Sequence, residues 1–438
     1  MESSRCHHLG RLGGLDDGRH VVTGDPARLG DPDDRRGSLS PFNSDSVSVT
    51  IVTVTSTTSG PLAGVRVVEL VGIGPGPFAA MMLADLGAEV IRVDRPGGGA
   101  LSVAPAEQDI LARGRPSAAI DLKADRGRET VLRLVERADI LLEGFRPGVT
   151  ERLGLGPDDC HARNPRLVYG RMTGWGQDGP LSQRAGHDIN YISIAGGLDP
   201  IGRAGGPPQV PLNLLGDFGG GAVYLVAGVL AALTHARATG EGQVVDAAIT
   251  DGVAHLLSMI VSMQQSGGWG QARGTNLLDT GAPFYDVYET SDGRWMSVGG
   301  LEPQFWAAME ETLARHGITD LPDRNDPAVW PALRERLAEA FGTKTQEEWT
   351  DIFAPTDACV APVIPLAEAP DHPHNRARGT YVEREGLVQP APAPRFSATP
   401  AALTTPPVRP GENTREALAA WGIDDVDALI ADGVAVQN

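Results

Sequence analysis

From Gly60 onward, short apolar runs alternate with stretches in which apolar residues recur at helical spacing. "VRVVELV" predicts a strand, "PFAAMMLADLG" a helix closed by Gly87, and "EVIRVDR" a second strand. The alternation continues through "SAAIDL" (strand), "GRETVLRLVERA" (helix), "DILLEGF" (strand) and "NPRLVYGRMTG" (strand). Longer apolar periodic stretches predict helices from about Gly219 to His235 and from about Val245 to Met263. Strands interleaved with helices imply a parallel sheet covered on both faces, an α/β class.

Near Gly281 the pattern changes. "FYDVYETSDGRWMSVGG" predicts two short antiparallel strands joined by a Ser-Asp-Gly turn. Helices follow at "EPQFWAAMEETLARHG", "PALRERLAEAFG" and "TQEEWTDIFAPT", which together read as a smaller α+β domain. The Pro-rich "VQPAPAPRFSATPAALTTPPVRPGE" runs extended, and a short helix at "TREALAAWG" closes the chain. Residues 1–59 are rich in Gly, Asp, Arg and Ser and predict a disordered extension. The "CHH" at Cys6–His8 has no further ligand nearby and is not expected to hold a metal.

The turn after the first strand, Gly72-Ile73-Gly74-Pro75-Gly76-Pro77, has nearly the layout of a dinucleotide-binding loop. A pyrophosphate cradle needs free backbone N–H groups, and proline has none. Pro77 also stands where the fingerprint's third glycine belongs. The prolines instead suit a helix's first turn.

Composition narrows the field. A chain of 438 residues with 41% hydrophobic content is long enough for two domains. The net charge of −19 and pI near 4.9 oppose general binding to nucleic acid or to an anionic membrane. An anionic ligand then needs a local basic cluster. Three scattered cysteines fit no paired metal spacing and predict a reducing, cytoplasmic setting. The N-terminus lacks a signal-peptide core, and the longest apolar run, "AVYLVAGVLAAL", is about half of a membrane span.

Seven segments in order carry a resemblance: the "GPLAGVRVVELVGIGPGPFAAMMLADLGAEVIRVDRP" stretch, "EGFRPGVTERLGLGP", "GRMTGWGQDGP", "AGHDINYISIAGGL", "PLNLLGDFGGGAVYLVAGVLAAL", "GQVVDAAITDG" and "GGLEPQFW". Together they closely resemble the α-methylacyl-CoA racemases, within the family III CoA-transferase superfamily, from about Gly60 to at least "PAPRFS". The resemblance implies an interlaced homodimer. It implies a Rossmann-like large domain over residues 60–247 completed by 392–438, and a crossover over 248–286. A small domain over 287–380 and a return linker over 381–391 follow. It implies no cofactor, since CoA is part of the substrate.

Racemising a 2-methylacyl thioester removes a proton from one face of the α-carbon and returns one to the other. Two acid/base groups on opposite faces serve this. The resemblance gives these roles to His187 in "AGHDINY" and Asp217 in "LLGDFGGG", with Glu302 of "GGLEPQFW" reaching His187 from the other subunit. Read locally, Asp217 suits an N-cap, which would lower its pKa, while burial would raise it. Glycines 219 to 221 suit close substrate approach at a helix N-terminus.

For CoA the resemblance points to Arg95, to Ile120, Asp121, Leu122 and Lys123, to Gly144, Phe145 and Arg146, and to Arg152. Gly186, His187, Asp188, Ile189, Asn190 and Tyr191 would line the pantetheine and thioester, and Met259 and Met263 the acyl region. The rival within the superfamily is a CoA-transferase in which Asp217 is a nucleophile. Retention of His187, Asp217 and Glu302 together favours the racemase. A non-catalytic CoA-binding protein is the remote alternative.

Overall fold

The computed structural model describes residues 59–98, 104–270 and 272–438. The extension expected at residues 1–59, with its Cys6–His8 motif, lies outside the described residues apart from Ser59.

A seven-stranded sheet forms the centre. Six strands are parallel: β1 (Arg66–Leu70), β2 (Glu89–Asp94), β3 (Ser117–Ile120), β4 (Ile140–Glu143), β5 (Val168–Thr173) and β6 (Gln243–Ala248). They lie in the order β3-β2-β1-β4-β5-β6. Strands β1 to β5 are buried along nearly their whole length because both faces are covered, whereas the edge strand β6 is exposed or half-buried over its first four residues. On one face Leu83, Leu225, Val229 and Leu233 pack on Val67, Val90, Ile140 and Val168. On the other, Val131, Leu134, Leu418 and Trp421 pack on Val68, Ile91, Leu141 and Tyr169. Each fully buried aliphatic side chain of this kind contributes about 1.5–3 kcal/mol.

The second core belongs to a three-stranded antiparallel sheet: β7 (Asp286–Glu289), β8 (Trp295–Val298) and β9 (Val360–Pro362). Helices Pro303–Arg315, Trp330–Phe341 and Gln346–Phe353 bury Trp306, Leu313, Leu337, Phe341 and Trp349 against it. The hairpin β10 (Tyr381–Arg384) and β11 (Leu387–Pro390) follows. The chain then returns to the large sheet. The helix Thr414–Ala420 covers β3, and β12 (Ala435–Val436) pairs antiparallel with β3 at the sheet's edge.

Three local expectations change. The helix expected from about Val245 begins only at Ile249, because Gln243–Ala248 forms β6 beside β5. A β-branched run that closes a sheet edge outweighs helical periodicity there. Beyond the helix at "TREALAAWG", the chain adds Val426–Ala431 and β12. The helix expected from Gly219 starts at Leu214 as a π-helical segment, Leu214–Ala222, and becomes α-helical at Val223–Thr239. Together these form a 26-residue helix containing an 18-residue window of mean hydropathy 1.6, long and apolar enough by length and composition to cross a membrane. In this fold its α-helical part packs against β5 and β6.

Candidate active site

The strand order reverses direction between β1 and β4, and in open α/β sheets ligands bind beyond the carboxyl ends of the strands at that point. A cavity of about 790 Å³ opens there. Its floor is the Gly72–Pro77 turn after β1; Gly144, Phe145 and Arg146 follow from β4, and Thr173, Gly174 and Trp175 from β5. His187, Tyr191, Asn213 and Asp217 complete the wall. His187 and Asp217, 30 positions apart in sequence, thus share one cleft.

His187 stands at the N-cap of the helix Asp188–Ile194, where its backbone N–H donates to Asn190 Oδ1 at 3.1 Å. The cap fixes the chain's entry into the helix and leaves the imidazole exposed to the cavity. Tyr191 turns back one helical turn later, its hydroxyl donating to the Gly186 carbonyl. Its ring meets Trp175 edge-on at 4.7 Å. This aromatic wall requires glycine at position 174, where a Cβ would overlap the Tyr191 ring.

Asp217 is not an N-cap. It lies in the first turn of the π-helical segment, whose N-cap residue is Asn213. Asn213 Nδ2 donates to Asp217 Oδ2 at 3.3 Å. Burial pushes the Asp217 carboxyl above the ordinary carboxylate range; the Asn213 hydrogen bond pulls it down, Asp188 raises it further and His187 lowers it. The desolvation expected of a proton donor therefore prevails over hydrogen bonding. π-helical turns are frequent at functional sites, and this one offers the acid from a widened turn rather than a helix terminus.

The glycine turn has an assignment of its own. Gly74 holds φ at +68°, a region that disfavours side chains, and a Cβ there would sit 3.1 Å from Asp217 Oδ2. Phe78, in the helix Pro75–Asp85 that the prolines initiate, stacks on Phe218 at 4.3 Å. The turn that resembles a phosphate loop thus seats the Asp217 carboxyl.

Deeper in the wall, Glu69 of β1 is ion-paired to Arg115. Both are fully enclosed, and burial pushes Glu69 up and Arg115 down from their ordinary values. Glu143 of β4 accepts from the Phe145 N–H at 2.7 Å and from Arg171 at 2.9 Å. These bonds hold the loop carrying Gly144, Phe145 and Arg146 at the cleft.

Other expected positions lie elsewhere. Ile120 is core, 1% exposed in β3, because the strand is covered on both faces. Asp121 accepts from the Lys123 N–H at 2.9 Å; Asp121, Leu122 and Lys123 lie after β3, outside the cavity wall. Arg95 is exposed beyond β2, and Arg152 is exposed at the end of the Val149–Arg152 helix; neither lines the cavity. Asp188 is buried and turned beneath Asp217 rather than into the cleft, while Ile189 and Asn190 are exposed outside it. Met259 and Met263 also lie outside the wall. Glu302 is exposed at the N-cap of Pro303–Arg315 and does not reach the cleft of its own chain.

The cleft also holds residues that the sequence motifs do not single out. Arg184 lines the cavity as an exposed cation. Trp175 lines it too, and its buried Nε1–H has no acceptor among the described residues. Asn213, four positions before Asp217, was legible as a neighbour on one helix face. Nothing local marks Arg184 or Glu69.

Comparison with known proteins identifies the family. Residues 62–414 match the family described as CoA-transferase family III. The chain is 46% identical over 372 residues to the alpha-methylacyl-CoA racemase of Mus musculus, covering 84% of this chain and 95% of the mouse protein. With the Homo sapiens alpha-methylacyl-CoA racemase the identity is 43% over 384 residues, covering 86% and 98%. The crystal structure of a CAIB/BAIF family protein from Brucella suis superposes with a TM-score of 0.72 at 26% identity, covering 83% of this chain and all of that one. The match spans most of the chain, so this protein belongs to CoA-transferase family III.

Proposed function

We infer that the protein racemises 2-methylacyl-CoA thioesters by 1,1-proton transfer at the α-carbon. The observation that carries this reading is that His187 and Asp217 line one cleft, with the carboxyl of Asp217 raised by burial. One of the pair takes the α-proton, and the C–H electrons pass to the thioester oxygen as an enolate. The other returns a proton to the opposite face, and the C=O re-forms. For the opposite epimer the roles exchange. A neutral imidazole must meet a protonated carboxyl, or an imidazolium a carboxylate, so a carboxyl raised toward working pH suits both directions.

Arg146 and Arg184 are the cations lining the cleft, and they suit the phosphates of CoA on an otherwise acidic protein. The reading includes a homodimer, in which a second copy would bring its Glu302 to His187 and orient the imidazole. Exposed apolar side chains in the segments flanking the cleft support such a partner: Ile189, Ile194, Leu212, Leu214, Leu256 and Met259.

The test is incubation of one pure 2-methylacyl-CoA epimer with enzyme in heavy water. Epimerisation with deuterium gained at the α-carbon, and no need for an acceptor acid, is the expected result. Acyl-CoA consumption that requires an added carboxylate would instead make Asp217 a nucleophile and the protein a CoA-transferase.

A pH profile follows from Asp217. Enzyme with both acid/base groups protonated has no base, so kcat/KM falls on the acid side as Asp217 gains its proton. Because the Asp217 carboxyl is raised, that limb is expected above the ordinary aspartate range. A limb below pH ~3.9, the unperturbed value, would contradict it.

A further inference from the structure

Asp188 follows His187 directly, yet its side chain leaves the cleft. It is 6% exposed, and its Oδ2 accepts the backbone N–H of Asp217 at 2.6 Å. Its Oδ1 is buried and has no partner among the described residues. Space for this carboxylate exists because position 216 is glycine: a Cβ there would overlap Asp188 Oδ2. One short link therefore ties the first turn of the His187 helix to the π-helical segment carrying Asp217.

We propose that Asp188 is a positioning residue: through its bond to the Asp217 N–H it fixes the carboxyl of Asp217 relative to His187 and keeps a negative charge beneath it. This rests on the racemase reading and adds a third acidic residue to it. A bond from a carboxylate to a backbone N–H is charge-assisted and is about twice as strong as a neutral one. Carrying an unpartnered buried oxygen costs stability. A bland fold contact at this position would be served as well by asparagine or serine, whereas a charge is needed only if Asp217 responds to it.

The charged and titratable neighbours of Asp217 leave Asp188 as the nearby anion. His187, Asp188 and Tyr191 face it from one helix end, and the coulombic pull of His187 opposes the push of Asp188. The helix Pro75–Asp85 carries no charge before its last residue. The helix Ile249–Leu256 carries Asp251 and His255, and His255 Nδ1 is held by the Tyr224 hydroxyl at 2.7 Å. Arg171 of β5 is paired to Glu143, and Asp246 of β6 accepts from the Gln177 N–H at 3.1 Å.

The experiment compares Asp188→Asn, Asp188→Ala and Gly216→Ala with wild type in the full-length protein. Asparagine retains an acceptor for the Asp217 N–H and removes the charge; alanine removes both. Expected for Asp188→Ala is a loss of kcat of about a hundredfold, with KM for the 2-methylacyl-CoA changing less than about threefold. Gly216→Ala, which displaces Asp188 without deleting it, is expected to show the same split. In Asp188→Asn the acid limb of kcat/KM moves to lower pH, because the repulsion that raises Asp217 is gone. The same shift is read without turnover from the ¹³C carboxyl resonance of Asp217, assigned by its absence in Asp217→Asn.

An Asp217 titration and kcat unchanged in Asp188→Asn would overturn the proposal. So would equal losses in kcat and in cooperative unfolding across all three variants, the mark of a merely structural contact. A wild type that titrates as described but exchanges no α-proton would sink the racemase reading alone, since the carboxyl titration still reports on Asp188.

Discussion

His187→Ala is expected to lower racemisation of a 2-methylacyl-CoA by roughly a thousandfold, within the range for loss of a positioned acid/base. Deuterium uptake should nevertheless persist on one epimer. With the imidazole gone, Asp217 still faces one side of the α-carbon, and its carboxyl can exchange with solvent before returning a deuteron to that same side. The product is labelled but not inverted. Asp217→Asn should show the mirror pattern, with uptake confined to the opposite epimer. The geometry motivates the pair of results: both groups line one cleft, on separate segments, each anchored through its own backbone contacts. Chiral chromatography with mass spectrometry of recovered thioester reads inversion and labelling together. Loss of labelling on both epimers in each single variant, with acyl-CoA still bound, would mean that the two groups do not act from opposite faces.

Gly252→Ala is expected to cost about 3 kcal/mol of stability, the upper end for overpacking. The π-helical segment lies against the helix Ile249–Leu256 so closely that a Cβ on Gly252 would overlap the Gly220 carbonyl. Both partners are backbone, so neither can swing aside as a side chain would. Relief requires the two segments to separate, and one of them carries Asp217. Activity should therefore fall with stability, by about a hundredfold for a displacement near 1 Å. The midpoint of chemical denaturation and kcat, measured on the same preparations, check this. Gly76→Ala serves as the comparison: a Cβ there meets nothing within 4 Å. Its stability is expected to stay within about 0.5 kcal/mol of wild type. A Gly252→Ala variant as stable as Gly76→Ala and as active as wild type would show the seam to be compliant.

The two replacements act on different links of one chain of causes. Histidine at 187 supplies chemistry that no neighbour can replace. Glycine at 252 has no chemistry, and only lets two stretches of backbone approach. Residues of the second kind explain why "DFGGGA" and "ITDGVAHL" are so rich in small side chains. That composition invites a reading in terms of substrate approach, whereas the glycines at 220 and 252 face protein.

The large sheet was legible because its signal is local. Apolar runs of "VRVVELV" type, separated by amphipathic helices, have one economical packing, and the strands formed where those runs occur. The antiparallel pair at 286–298 was equally local, set by a Ser-Asp-Gly turn between two alternating segments. His187 at a helix start and Asp217 beside glycines could be singled out from motifs that stay together in sequence. What the sequence did not disclose depends on groups far apart along the chain. β6 exists because β5 needed an outer neighbour, and β12 because the edge of β3 was open. Asp217 lies in a π-helical turn rather than at a cap because Asn213 and Asp188 hold it there. Gly74 leaves room for its carboxyl, although 143 positions separate them. Local pattern determines which segments become strands or helices, since propensity and periodicity act over a few residues. Burial, and with it the raised pKa of Asp217, is a property of everything packed around the group, so only the tertiary structure could decide it.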